Sequence, residues 1–133
     1  MILSVGEILV DMIGEATPSG FIYQRKAGGA PFNVACTISK LKGNISFVGC
    51  VGDDLIGQFL TNVATEQKFE NLILRVDPKR NTTLAFVELD ENGERSFCFY
   101  RQNTADYMLP EIDADLLKKT NIIHVGSLML STE

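Results

Sequence analysis

The sequence predicts an α/β fold, a parallel sheet with flanking helices from which a β flap projects. Three observations carry this expectation. Apolar, strand-like runs alternate with helical periodicity from Ile2 to Ala64. An Asn92-Gly93 turn then joins two strand-like runs that break the alternation. A further apolar run, Ile122 to Leu130, follows and reads as a buried strand in need of neighbours.

Each element follows from local pattern. Ile2–Val5 and Ile8–Ile13 are apolar runs separated by Gly6, which places the acidic Asp11 inside a strand. Phe21–Lys26 is a polar and aromatic strand leading into Gly28-Gly29-Ala30-Pro31. Pro31 suits the first turn of a helix that runs to about Lys42, with Val34, Ile38 and Leu41 on its apolar side and Gly43 at its C-terminal cap. Asn44–Val51 is a β-branched and aromatic strand. Asp53 or Asp54 caps a second helix carrying Leu55, Ile56, Phe59, Leu60, Val63 and Ala64. Thr82–Leu89 and Arg95–Arg101 form the hairpin, which cannot belong to a right-handed crossover and therefore leaves the sheet. Asp113–Lys119 is a short helix.

Composition excludes several function classes. The 133 residues are 45% hydrophobic and 22% charged, ordinary for a globular domain and long enough for a core without staples. Seventeen acidic against 12 basic residues give a net charge of -5, opposite to the footprint that nucleic acid requires. The apolar runs are too short to span a bilayer, and the first residues lack a basic, cleavable leader. Cys36, Cys50 and Cys98, an odd number with a single His, match neither a disulfide framework nor a zinc site and point to a reducing cytoplasm.

Four constellations are candidates for chemistry. Gly28-Gly29 opens a helix with Asn33 in its first turn, where amides and an Asn side chain suit a hydroxylated ligand; the plain alternative is chain reversal with Asn33 at the surface. Asp11 is either a carboxylate accepting from sugar hydroxyls or an Asp facing water at a strand end. Asp53-Asp54 reads as helix capping, because hard cations need more oxygens than the segment supplies. Phe97, Phe99 and Arg101 share one face of the second flap strand, to cover a ligand or to pack on the hairpin partner. His124, alone on an apolar strand, reads as a satisfied core histidine.

In order and content these segments resemble the ribokinase-like (pfkB-type) carbohydrate kinases, most closely the fructokinases. The resemblance lies in Val5-Gly6-Glu7-Ile8-Leu9-Val10-Asp11, in Gly28-Gly29-Ala30-Pro31-Phe32-Asn33 and in Phe47-Val48-Gly49-Cys50-Val51-Gly52-Asp53-Asp54. It continues through Thr83 to Leu89, Gly93 to Arg101, Ala105-Asp106 and His124-Val125-Gly126-Ser127. It implies transfer of the ATP γ-phosphoryl group to a sugar hydroxyl with Mg²⁺ as cofactor, fructose as the first-choice acceptor, and dimerisation through the flap, or lid. By the same resemblance Asp11, Gly28, Gly29 and Asn33 match positions that bind the sugar, and Ala85, Val87, Phe99 and Arg101 match lid positions lining the pocket.

Two departures accompany it. Phe32 stands where relatives carry a small residue, which implies a reshaped pocket wall, and Glu66 to Pro78 lacks the family's usual connection and reads as a changed loop. The family's catalytic Asp lies in a Gly-Ala-Gly-Asp motif that these residues do not contain. The expectation is therefore that residues 1–133 are the N-terminal portion of a longer kinase. On that expectation they hold the sugar site and lid strands around 20–27 and 82–101, while the catalytic base and nucleotide pocket lie beyond Glu133. The alternatives are a kinase for 2-keto-3-deoxygluconate or another sugar, and a non-catalytic sugar-binding module.

Overall fold

The computed structural model describes residues 1–131; the Thr132-Glu133 end of the sequence lies outside them. The first sheet has strand order β5-β4-β1-β8, formed by β1 (Ile2–Val5), β4 (Ile45–Gly52), β5 (Leu72–Asp77) and β8 (Ile122–Val125), all parallel. The second has order β3-β2-β6-β7, formed by β2 (Leu9–Thr17), β3 (Gly20–Gly28), β6 (Leu84–Leu89) and β7 (Arg95–Tyr100). β2 runs parallel to β6 and antiparallel to β3, and β6 is antiparallel to β7. The expected flap is thus a full sheet, and β2, which carries Asp11, belongs to it rather than to the parallel sheet.

Helices α1 (Ala30–Lys40) and α2 (Leu55–Glu66) cover one side of the parallel sheet. Between them lies a core of Ile8, Val10, Phe32, Ala35, Ile45, Phe47, Val51, Leu60 and Ala64. Phe32 packs edge-on against Phe47, with ring centroids 5.2 Å apart, and against Phe69 at 6.2 Å. Phe32 therefore fills the interior instead of reshaping a pocket wall, because its position on α1 turns toward the sheet. On the sheet's other side Leu3, Val5 and Val48 meet Leu109, Ile112 and Leu116, the last from α3 (Ala114–Lys118), whose N-cap is Asp113.

The helix ends show how local chemistry sets the elements. α1 begins at Gly29, whose φ of 105° is open to glycine and strained for other residues. It ends in a Schellman closure in which the Gly43 amide donates to the Ile38 carbonyl and the Lys42 amide to that of Ser39. Lys42, not Gly43, takes the left-handed conformation (φ 61°), and Leu41 is exposed rather than part of the apolar face. α2 starts at Asp54, whose Oδ1 accepts from the Gly57 amide at 2.7 Å.

Two further expectations are corrected. Leu72–Asp77, read as a loop, is the edge strand β5; pairing with β4 decides this, and neighbouring residues alone do not reveal it. The Ile122–Leu130 run is not a buried strand: β8 spans four residues, Ile122, Ile123 and Val125 are half-exposed, and Leu128–Leu130 is a 3-10 turn. β8 is an edge strand with one pairing neighbour, so its apolar character does not bring burial. His124 is partly buried with Nδ1 3.2 Å from the Ser4 hydroxyl, in keeping with a satisfied histidine.

Candidate functional site

Residues paired across adjacent strands project to the same side of a sheet. The register Asp11↔Ala85↔Phe99 therefore sets these three side chains in one row, and Ile13↔Val87↔Phe97 makes the next row outward. Leu9 pairs with Gly28 beside the first row. The small size of Gly28 is used directly: a Cβ there would fall on Asp11 Oδ2. The carboxylate lies against the bare glycine backbone, an arrangement that any side chain at 28 would displace.

Asp11 makes no hydrogen bond or ion pair with another described residue. No buried side-chain nitrogen or oxygen among the described residues lacks a partner, so the oxygens of Asp11 are open to the outside. Burial of the rest of the side chain raises its pKa above the ordinary 3.8. A cleft of about 140 Å³ opens beside it, lined by Asp11, Ile13, Val87, Leu89, Arg95 and Phe97. Such a surface offers one acceptor for hydroxyl groups and an apolar wall for the carbon face of a ring.

The other expected residues fall in three places. Gly28 ends β3 and Gly29 caps α1, where a Cβ would meet the Glu7 carbonyl oxygen at 2.5 Å. Asn33 lies in the first turn of α1; its amide donates to the Gly29 carbonyl, and its side chain is exposed. Ala85 and Val87 are buried on β6. Phe99 and Arg101 line a different and larger cavity of about 740 Å³, around the base of β7, with Asn81, Leu84, Tyr100 and Gln102. Asp11 and Arg101 thus do not line one cavity.

Arg101 is held by a neighbouring carboxylate. Its Nε and Nη2 donate to Asp106 Oδ2 at 3.0 and 2.7 Å, and its guanidinium lies 4.6 Å from the centre of the Tyr107 ring. Asp106, 1% exposed, also accepts at Oδ1 from the hydroxyls of Thr83 and Thr104, both at 2.5 Å. Sequence reasoning noted Ala105-Asp106 without giving Asp106 a task; only the fold brings residues 83, 101 and 104 to it. A second such residue is Glu7, fully buried, whose carboxylate accepts from the Ser127 amide at 3.0 Å and ties the loop after β8 to the β1–β2 junction.

Of the two adjacent carboxylates Asp54 serves structure, while the Asp53 side chain is exposed. Asp54 caps α2 and accepts from the amide and hydroxyl of Thr82, both at 2.8 Å. Burial pushes its carboxyl up, but the hydrogen bonds from Thr82 and Gly57 prevail and its pKa falls below 3.8. Cys50 is buried, which raises its thiol to about 11 and leaves it unreactive. No group of three or more His, Cys, Asp or Glu among the described residues could hold a metal ion. The described residues therefore offer no metal centre held by protein side chains alone. No helix among them is long and apolar enough to cross a membrane.

Comparison with known proteins agrees with this architecture. The profile of the pfkB family carbohydrate kinase matches residues 1–133. Probable fructokinase-6, chloroplastic, of Arabidopsis thaliana is 41% identical over 99% of the chain and 36% of its own length; fructokinase-2 of Oryza sativa subsp. japonica is 40% identical over 100% and 41%. Among solved structures, fructokinase with bound ATP from Xylella fastidiosa superposes with a TM-score of 0.83 at 36% identity, covering 93% of this chain and 38% of that one. Halothermothrix orenii fructokinase gives 0.84 at 29% identity, covering 99% and 48%. The chain thus spans about two-fifths of the length of the curated relatives it matches. With a ribokinase-like α/β architecture and this match along all its residues, the chain belongs to the pfkB family of carbohydrate kinases.

Proposed function

We propose that this chain forms the sugar-binding part of an ATP-dependent fructokinase, which transfers the γ-phosphoryl group to the 6-hydroxyl of fructose. The observation that carries the reading is Asp11: a carboxylate laid on the Gly28 backbone, with no partner among the described residues, beside an apolar wall. Fructokinase names among the relatives support the choice of sugar. In this reading Asp11 and the side-chain carboxamide of Asn33 fix sugar hydroxyls. Gly28 and Gly29 let the backbone approach, and Ala85, Val87 and Phe99 cover the ring and exclude water, so that the sugar oxygen rather than water attacks phosphorus.

Phosphoryl transfer rests on positioning and on electrostatic stabilisation of the transferring group. The residues described here supply the first. The second, with ATP, Mg²⁺ and the base that takes the hydroxyl proton, is assigned to sequence outside these 133 residues. We further assign the protein to the cytoplasm and to a homodimer formed through the second sheet, consistent with three unpaired thiols and an exposed apolar sheet face.

ADP release tests the reading. The product of the whole reading frame that encodes this chain is expected to turn over fructose and ATP, and the 133-residue chain alone to release none. Asp11→Asn in the former is expected to raise KM for fructose by about 10-fold or more, since a charged acceptor is lost. Turnover by the 133-residue chain at an ordinary kinase rate, or an unchanged KM in Asp11→Asn, overturns it.

A further inference from the structure

Ser4 joins three elements through one hydroxyl. It lies on β1 between Leu3 and Val5, which pack on the α3 side of the first sheet, so alternation turns Ser4 to the α1 side, where it is 0% exposed. There the hydroxyl donates to the Pro31 carbonyl at 2.8 Å. Ser4 also pairs in register with His124 on β8, and the imidazole Nδ1 lies 3.2 Å from the same oxygen. Pro31 is the second residue of α1, two before Asn33.

These contacts decide which ring nitrogen carries the proton. A hydroxyl has one hydrogen, and a carbonyl only accepts. The hydrogen of Ser4 is spent on Pro31, so the bond to His124 forms with Nδ1–H as its donor. The chain therefore runs one way, from Nδ1–H of His124 to the Ser4 oxygen and from the Ser4 hydrogen to Pro31, each bond polarising the next.

The same proline is held a second time. A Cβ on Gly6 would fall 2.6 Å from Pro31 Cγ, and one on Gly126 2.8 Å from its Cδ, so the pyrrolidine ring lies in a notch between the ends of β1 and β8. β8 is kept at that notch by the Gly126 amide donating to the Val5 carbonyl at 3.1 Å and by the Ser127 amide donating to Glu7 at 3.0 Å. Two separate contacts thus fix the start of α1, where the Asn33 amide donates to the Gly29 carbonyl at 2.8 Å and the Asn33 side chain is exposed.

We propose that Ser4 and His124 are positioning residues: His124, held as the Nδ1–H tautomer, acts through Ser4 and the Pro31 carbonyl to fix the first turn of α1, and with it Asn33 and the Gly29 backbone against the ligand. That the ligand is a sugar rests on the kinase reading above; the fixing of α1 by His124 does not.

The test uses the product of the whole reading frame and has three arms. In the first, nitrogen-15 NMR of the imidazole, assigned by its loss in His124→Asn, is expected to show Nδ1 protonated and Nε2 bare on the alkaline plateau of its titration. An Nε2–H tautomer there overturns the proposal whether or not any variant folds. In the second, hydrogen exchange of the α1 first-turn amides, Asn33 among them, is expected to be about 5-fold faster in His124→Gln and unchanged in His124→Asn. The reason is geometric: an Asn side-chain nitrogen takes the place of Nδ1, whereas that of Gln takes the place of Nε2. Equal exchange in the two variants overturns the proposal. In the third, Ser4→Ala and His124→Gln are each expected to raise KM for fructose about 5-fold with kcat within about 2-fold, and His124→Asn to restore KM to within about 2-fold. If the chain serves folding alone, Asn and Gln at 124 differ in melting temperature and not in KM, and the proposal is overturned. Should the unmodified protein phosphorylate no sugar, the kinase reading fails by itself, and the tautomer and exchange arms still decide whether His124 fixes α1.

Discussion

At the scale of single residues, the two adjacent glycines separate function from stability. A Cβ at Gly28 meets only side-chain atoms, those of Asp11 and Leu9, and can be accommodated by turning the Asp11 carboxylate. Gly28→Ala is expected to shift Tm by no more than about 2 °C, because a strand alanine also restricts the unfolded chain. It should nevertheless raise KM for fructose about 10-fold, because Asp11 is displaced. Gly29→Ala meets the Glu7 backbone carbonyl and must hold a φ near 105°. It is expected to cost about 2–4 kcal/mol, read from the urea midpoint.

Asp11 also has a signature in pH. Burial raises its folded pKa above 3.8, so folding favours the protonated form. Its contribution is fully present below pH 3.8 and is lost as pH rises through the folded value. Asp11→Asn is accordingly expected to melt higher than the unmodified protein at pH 7 and alongside it near pH 3, even as it loses sugar affinity. Equal melting temperatures at pH 7 would show that Asp11 carries no burial penalty. Asp11 was legible in sequence as a carboxylate among apolar residues. Its seat on Gly28 was not, since the strands bearing them run antiparallel through a register that only the sheet fixes.

At the scale of elements, Asp54 joins three pieces: it caps α2, binds the amide and hydroxyl of Thr82 ahead of β6, and the Thr82 hydroxyl in turn accepts from the Gly52 amide at the end of β4. Asp54→Ala is expected to lower stability by about 2–3 kcal/mol, the sum of a lost cap and orphaned partners, measured by urea unfolding. Its folded pKa lies below 3.8, so this contribution is present above pH 3.8 and fades as pH falls toward the folded value. Asp54→Asn keeps the cap oxygen and is expected to lose less at pH 7.

The same element shows what sequence can and cannot tell. Capping, Asn92-Gly93 and helical spacing are local chemistry, and α2, the hairpin and α1 follow from them to within a few residues. The loop Asp90–Glu94 closes as its residues dictate, with Gly93 at φ 78° and the Asp90 carboxylate accepting from the amides of Asn92 and Glu94. β5 and β8 are edge strands whose existence and exposure depend on what lies beside them, and neither runs on a signal of its own. The Arg101–Asp106 pair is only five residues apart, yet its meaning depends on Thr83, which another strand brings in.

At the scale of the whole molecule, the two sides of the second sheet differ in character. The side that carries Asp11 presents Ile22, Leu89, Phe97 and Phe99, each about half-exposed, whereas on the opposite side the exposed Phe21, Tyr23 and Tyr100 are interspersed with Glu88, Ser96 and Cys98, the Tyr23 hydroxyl donating to Glu88 at 2.6 Å. Four large apolar side chains on one sheet face are what a second copy would cover, and covering them would also close the Asp11 cleft. The proposed dimer is therefore expected to depend on Phe97. Light scattering should give twice the monomer mass for the product of the whole reading frame, the monomer mass for Phe97→Asp, and twice the monomer mass again for Cys98→Ser on the opposite side. A doubled mass that survives Phe97→Asp would place the contact elsewhere, on the opposite sheet face at Phe21, Tyr23 and Tyr100 or on the half-exposed edge at Ile122, Ile123 and Val125. Because Phe97 also lines the Asp11 cleft, the monomeric variant is further expected to bind fructose several-fold more weakly, which ties assembly to substrate affinity through one side chain.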